Sequence, residues 1–282
     1  MKVLVTGSKG QLGQSIQFVL NKPEDEWFFV TREELDICDF VQTRNLFEEN
    51  KFDYCVNCAA YTNVDGAEDH KDDAYLANSE AVKNLAGVCK DHNCILIHIS
   101  TDYVFDGSST RPYKEEDKVG AINVYGDSKL QGERNIRAIL ENYFIIRVSW
   151  LYSPFGHNFV KSISKKIREN SELNIITSQK GIPTSALDLA EFIVFLVENR
   201  ITEYGIYHFT GNGETDWYEF AVEISKYFPE YNSDKLNAIL NYPSKAKRPK
   251  YSVLNTTKVK SIYNHLVPWQ LSLSRTMKEI LN

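Results

Sequence analysis

Hydrophobic positions in the first half of the chain alternate between short unbroken runs and stripes of helical period. KVLVTG, β-branched and closed by Gly7, predicts a buried strand, and QLGQSIQFVLNK, apolar at 12, 16, 19 and 20, predicts the helix behind it. EWFFVT and FDYCVNCAA predict a second and a third strand, with the helix DFVQTRNLFEEN between them. The long stripe AYLANSEAVKNLAGVCKDHN predicts a helix and CILIHIS a fourth strand. KLQGERNIRAILEN continues a helix that starts near Tyr125, and YFIIRVSW supplies a fifth strand. Apolar strands alternating with helices predict an α/β fold built on a parallel sheet covered on both faces.

Beyond Trp150 the rhythm loosens. FVKSISKKIREN, SALDLAEFIVFLVENR and DWYEFAVEISKYF read as helices and YGIYHFTG as a late strand, followed by the polar NYPSKAKRPKYS. The expectation is a lobe over 1–150, with elements added from about 171–210, and a smaller, interleaved lobe over 151–282. Nothing repeats and no segment has a disordered composition. At 282 residues and 43% hydrophobic, the chain can bury a substantial core. The net charge of −6 gives no electrostatic footprint for nucleic acid. No stretch reaches the about 18 apolar residues of a membrane span, so no membrane partner and a cytoplasmic location are expected. Five cysteines form no framework; Cys55 and Cys58 make a lone C-x-x-C without a second pair, and no metal is expected.

The first chemistry lies in TGSKGQLG, where Gly7, Gly10 and Gly13 are spaced G-x-x-G-x-x-G between the first strand and the first helix. Glycines there permit a tight turn and let a pyrophosphate approach the free N–H groups of the helix. An ordinary strand–turn–helix connection has the same look; the position in the chain favours dinucleotide binding. The second strand ends in Thr31 and Arg32 where an acid would hold the ribose of NAD. Arg32 suits a 2′-phosphate and tilts the choice to NADPH, while Glu33 and Glu34 leave NADH open.

Tyr125 and Lys129 stand four apart in VYGDSK, on one face of the predicted helix. A cation beside the phenol would lower its pKa and make Tyr125 a usable general acid for a carbonyl oxygen. By itself the pair is also what any exposed helix face carries.

Together, the glycine loop and Y-x-x-x-K resemble the extended short-chain dehydrogenase/reductases. Within them, AAYTNVDGAE, ISTDYVFDG, YGDSKLQGE, RVSWLY, GIPT and RPKYSVL fall in the order of the dTDP-4-dehydrorhamnose reductase family, over nearly the whole chain. The resemblance implies a Rossmann-type, doubly wound parallel sheet with a smaller C-terminal substrate lobe. It also implies NAD(P)H-dependent reduction of a C4 ketone on a dTDP-linked nucleotide sugar, the small-molecule partner. Tyr125 would protonate the oxygen, Lys129 would tune Tyr125 and hold the nicotinamide ribose, and Thr101 would hydrogen-bond the same oxygen. Asp102 would orient Thr101 or touch the sugar, unless it caps a turn. Cofactor contacts carried over are Gly7, Gly10, Gln11, Leu12, Gly13, Asp36 (to the adenine), Ile37, Ala59, Ala60 and Tyr61, with Asn57 beside them. Substrate contacts carried over are Val64, Asp65, Trp150, Asn158 and Arg248; Trp150 also reads as core, and Arg248 as part of a solvated basic run.

Two departures stand out. Ser178 precedes Gln179 where the family often has Asp, and the tail VPWQLSLSRTMKEIL lacks the acids with which some members bind Mg²⁺ at a dimer interface. A homodimer is open to the chain, but not that metal-bridged one. The rival readings are a related reductase giving the other epimer, of 6-deoxy-L-talose type, and a non-catalytic subunit like the β subunit of methionine adenosyltransferase.

Overall fold

The structure is a computed structural model and describes residues 1–20 and 23–282. Its centre is a six-stranded sheet containing β1 (Lys2–Thr6), β2 (Glu26–Phe29), β3 (Tyr54–Asn57), β4 (Ile95–Thr101), β5 (Tyr143–Val148) and a late strand, Gly205–His208. The order across the sheet is Gly205–His208, β5, β4, β3, β1, β2, and every pair is parallel. This is the Rossmann-type α/β sheet the pattern of apolar runs predicts. The period of two along each strand divides the core between the two faces. Val3 and Val5 point to one face, where they pack with Leu12 and Ile16 of helix α1 (Gln11–Val19) and with the helix Ala186–Glu198. Leu4 points to the other, against Phe47 of helix α2 (Phe40–Glu49), Val82, Leu85 and Ile136. A third cluster gathers Tyr152, Val160, Phe220, Trp269 and Leu273.

Several boundaries differ from the sequence reading. The last two residues of the expected helix 11–22 lie outside the described residues, and α1 ends at Val19. The helix expected from Ala74 starts at Lys71, and its turn Leu76–Glu80 is π-helical before Ala81–Asp91 resumes α geometry. The C-terminal tail, which gave no helical expectation, forms the helix Trp269–Leu281. Its buried Trp269, Leu273 and Met277 recur every fourth residue, but Pro268 gives no side-chain cap to announce it.

One polar contact is buried in this apolar frame. The Arg147 side chain on β5 donates from Nε (2.9 Å) and Nη2 (2.7 Å) to the two oxygens of Glu133 on the helix Val124–Ile139. Both side chains are 2% exposed. Ser100 Oγ on β4 donates to the same carboxylate at 2.5 Å. Removing one partner of such a pair leaves the other charge uncompensated in a dry core. Glu133→Gln is therefore expected to lower the unfolding free energy by about 3–5 kcal/mol, read from the shift of the urea midpoint at unchanged slope.

Candidate active site

The chain leaves β1 for β2 on one side and returns to β3 on the other. The carboxyl ends of β1, β3 and β4 therefore open a crevice at this switch point. Gly7 makes the turn out of β1 with φ +63°, and a Cβ there would sit 2.8 Å from the backbone nitrogen of Ala59. Only glycine allows the β1 and β3 loops to approach so closely. Helix α1 begins at Gly10 with no side-chain cap, which leaves the N–H groups of its first turn, Gln11, Leu12 and Gly13, for an anion. The loop thus fits a dinucleotide pyrophosphate. Ala59, Ala60 and Tyr61 follow β3 along the crevice. Asn78, from the π turn, holds Tyr61 by both backbone groups (2.9 and 3.0 Å) and reaches Ser128 Oγ at 3.0 Å. No spacing in the sequence singles out Asn78.

At the far end of the crevice the residues expected near the adenosine bond to one another. Arg32 is 82% exposed and its Nε donates to Asp36 at 3.2 Å. Asp36 also accepts from the Cys38 N–H at 3.0 Å, so it shapes its own turn where an adenine ligand was expected. Ile37 behind it is buried. A second cation, Lys9 inside the glycine loop, lies 3.1 Å from Glu33 and was not foreseen.

Thr101 ends β4. It accepts from the Tyr103 N–H at 3.2 Å and donates to Asp102 Oδ1 at 3.0 Å. The other Asp102 oxygen is buried without a partner, and burial pushes that carboxyl up to about 7. Tyr125 lies in the first turn of the helix Val124–Ile139, which Asn123 caps by accepting from the Gly126 N–H at 2.7 Å. Gly126 is required there, since a Cβ would meet the Tyr103 carbonyl at 2.2 Å. The Tyr125 ring packs edge-on against Tyr103, with centroids 5.9 Å apart.

The expected lysine-tuned phenol is not what forms. Burial pushes Tyr125 up to about 12, with the Thr101 hydroxyl acting in the opposite sense. Lys129 Nζ turns instead to the Ile99 carbonyl at 2.6 Å and to His98 Nε2 at 3.2 Å. Burial pulls the lysine down to about 8, against the pull of Glu133. The i, i+4 spacing puts both residues on one face, as predicted; the strand below then captures the ammonium. Tyr125 is consequently a protonated phenol across the neutral range.

Of the substrate calls, Asp65 and Arg248 come together, but on each other, at 2.8 Å. Val64 opens the short helix Val64–Asp69 that carries Asp65. Asn158 is engaged within the protein. It caps the helix Phe159–Arg168 and its amide nitrogen bonds Gln11 Oε1 (3.0 Å) and the Ser153 carbonyl (2.8 Å), so its polar atoms join the lobes. Trp150 adopts φ +49° and stacks on Trp217 at 3.8 Å, and Trp217 Nε1 donates to Gln179 at 3.0 Å. A tryptophan held in the left-handed region is a strained residue of the kind found at ligand clamps. Trp217 read only as the start of a helix. Arg275, on the helix Trp269–Leu281, spans Asp188 and Glu191 of the helix Ala186–Glu198.

Phenol, hydroxyl and lysine converge where a parallel sheet leaves room for a dinucleotide, which places the molecule among the extended short-chain reductases, a class of oxidoreductases. Residues 1–282 match the family model described as RmlD substrate binding domain, and the chain belongs to that family. It is 36% identical to a dTDP-4-dehydrorhamnose reductase of Aggregatibacter actinomycetemcomitans, over 96% of this chain and 97% of the relative. It is 37% identical to a dTDP-4-keto-6-deoxy-D-glucose reductase of Streptomyces niveus, over 77% and 75%. Among solved structures, a Bacillus anthracis dTDP-4-dehydrorhamnose reductase in complex with NADP superposes with a TM-score of 0.93 at 34% identity, covering 99% of both chains.

The half-satisfied Asp102 gives a stability test. Its carboxyl holds a proton in the folded state up to about 7, against 3.8 as the ordinary value. The folded state therefore binds the extra proton between these limits, and stability falls as pH rises through the window. Asp102→Asn is expected to melt above the parent at about pH 8 and close to it at about pH 4, by calorimetry.

Proposed function

We propose that the protein reduces the C4 ketone of dTDP-4-dehydro-L-rhamnose to dTDP-L-rhamnose with NADPH or NADH. The observation that carries the reading is Tyr125, a neutral phenol beside the Thr101 hydroxyl. The bound nicotinamide supplies the hydride. The chain's own task is to hold the ketone and give its oxygen a proton as negative charge develops. Tyr125 donates that proton, and Thr101 hydrogen-bonds the same oxygen. The Thr101 hydroxyl donates to Asp102 and would turn that proton to the substrate oxygen on binding.

The cofactor would lie along the turn Gly7–Gly13, with its pyrophosphate on the uncapped end of α1 and Lys129 at the nicotinamide ribose. Arg32 and Lys9 are the cations available to a 2′-phosphate, which favours NADPH. Their present partners Asp36 and Glu33 are the carboxylates that would serve an unphosphorylated ribose, so NADH also fits. The sugar nucleotide would occupy the side lined by Val64, Asp65, Trp150 and Arg248, where the lobe over 151–282 faces the sheet. Among the described residues no helix is long and apolar enough to cross a membrane. Five free cysteines suit a reducing cytoplasm.

The similarity to the Streptomyces reductase keeps a second ketone open, that of another dTDP-linked 6-deoxysugar. Loss of nicotinamide absorbance with dTDP-4-dehydro-L-rhamnose, followed by NMR of the product sugar, decides both substrate and epimer. dTDP-L-rhamnose is the expected product, and no oxidation of either cofactor by folded protein would return the non-catalytic reading. Tyr125→Phe is expected to lower kcat by about 10²–10⁴ while NADPH still binds, measured by fluorescence titration; undiminished turnover would remove Tyr125 from the mechanism.

A further inference from the structure

A buried hydrogen-bond chain runs beneath the proposed site and serves none of the roles given so far. Thr6 Oγ1, at the end of β1, donates to Asn57 Oδ1 at 2.7 Å, and the Ala59 N–H points to the same oxygen at 3.2 Å. With its oxygen so engaged, Asn57 presents Nδ2 to His98 Nδ1 at 3.1 Å. His98 is fully buried on β4, and its Nε2 meets Lys129 Nζ at 3.2 Å.

Counting protons along this chain fixes its direction. The Asn57 amide nitrogen is a donor, so His98 Nδ1 accepts. Burial holds the ring's pKa well below its usual value, so the ring is neutral, and with Nδ1 accepting it carries its one proton on Nε2. That N–H faces the lysine nitrogen. Against an ammonium it would be a donor facing a donor; against an amine it is a hydrogen bond. An amine satisfies both of these partners: one N–H goes to the Ile99 carbonyl and the lone pair accepts from His98. The other groups around Lys129 are Tyr125 and Glu133 on its own helix and Cys58 after β3. Glu133 is committed to Arg147 and Ser100, and the Cys58 thiol is raised by burial and stays neutral.

We infer that His98, oriented by Asn57, is a positioning residue that stabilises the amine form of Lys129 by donating Nε2–H to its nitrogen. The lysine is thereby able to release and regain a proton near neutral pH. Because Asn57 Oδ1 also holds the Ala59 N–H, the lysine's protonation is linked to the loop against which Gly7 packs. The inference rests on Lys129 serving the reaction only for its kinetic consequence, not for the hydrogen-bond pattern itself.

The first test is the ring's tautomer, read by long-range proton–nitrogen correlation on protein labelled with nitrogen-15 histidine. The His98 signals are identified by their loss in His98→Gln. A neutral ring protonated on Nε2 is expected above about pH 8, where Lys129 is an amine; a proton on Nδ1 there, or an imidazolium, would overturn the inference. The second test is the pH profile of kcat/KM. Removing the donor in His98→Leu, with folding checked by melting, is expected to raise the alkaline limb by about one pH unit. A limb that moves down would overturn the inference, because it would mean that the histidine favours the ammonium. His98→Gln, whose amide can accept from Asn57 and donate to Lys129, is expected to keep the parent limb. An unmoved limb in His98→Leu, alongside the Nε2 tautomer, would instead overturn the catalytic role of Lys129.

Discussion

The contact on which the site depends is the buried pairing of Glu133 with Arg147. It joins the helix that carries Tyr125 and Lys129 to β5, and through Ser100 to β4, one residue before Thr101. A buried ion pair is a poor source of net stability, since desolvating two charges offsets most of their attraction. Its value lies in direction. Two parallel N–H···O bonds fix a guanidinium against a carboxylate far more narrowly than apolar packing fixes one helix face on a sheet. Arg147 is further held by Phe105, whose ring lies 5.1 Å from the guanidinium carbon.

From that anchor the helix works as a ruler. Tyr125, Lys129 and Glu133 recur every fourth residue and fall on one face. Each meets a different level of β4: Tyr125 the Thr101 hydroxyl, Lys129 the Ile99 carbonyl and the His98 ring, Glu133 the Ser100 hydroxyl. Close approach is bought by glycine, with Gly126 against the Tyr103 carbonyl and Gly132 against that of Asn78. A shift of one residue in the helix would turn all three side chains away together, so the phenol's position is set by contacts well below it.

Much of this was legible in the chain. Apolar runs of strand length located the five leading strands, because strands buried on both faces leave little other composition open to them. The glycine spacing located the crevice, and the Tyr125/Lys129 spacing located the shared helix face. What stayed hidden has a common cause: it depends on which of two reachable partners a long side chain takes. Lys129 can reach forward to the phenol or down to the strand, and burial decides for the strand. Arg248 and Asp65, 183 positions apart, both carried charges suited to a ligand, and sequence order gives no hint that they meet each other. Asn158 sat beside a motif and became a helix cap. Trp217 read as an ordinary helix start, and only the fold stacks it on Trp150.

The same burial acts on the acid and on the cation of the site, and in opposite senses. Taking charge out of water favours the neutral form of each, so the phenol rises to about 12 and the lysine falls to about 8. Bringing the two pKa values together would need the ammonium to lie against the phenol, and the Ile99 carbonyl prevents that. Their separation suits a reductive direction. A phenol that keeps its proton across the neutral range is always ready to donate, and its acidity need rise only when charge appears on the bound oxygen. The Thr101 hydroxyl, whose one proton goes to Asp102, would have to turn it to the bound oxygen to meet that charge. A single physical cause, exclusion of water, thus raises the phenol and lowers the lysine.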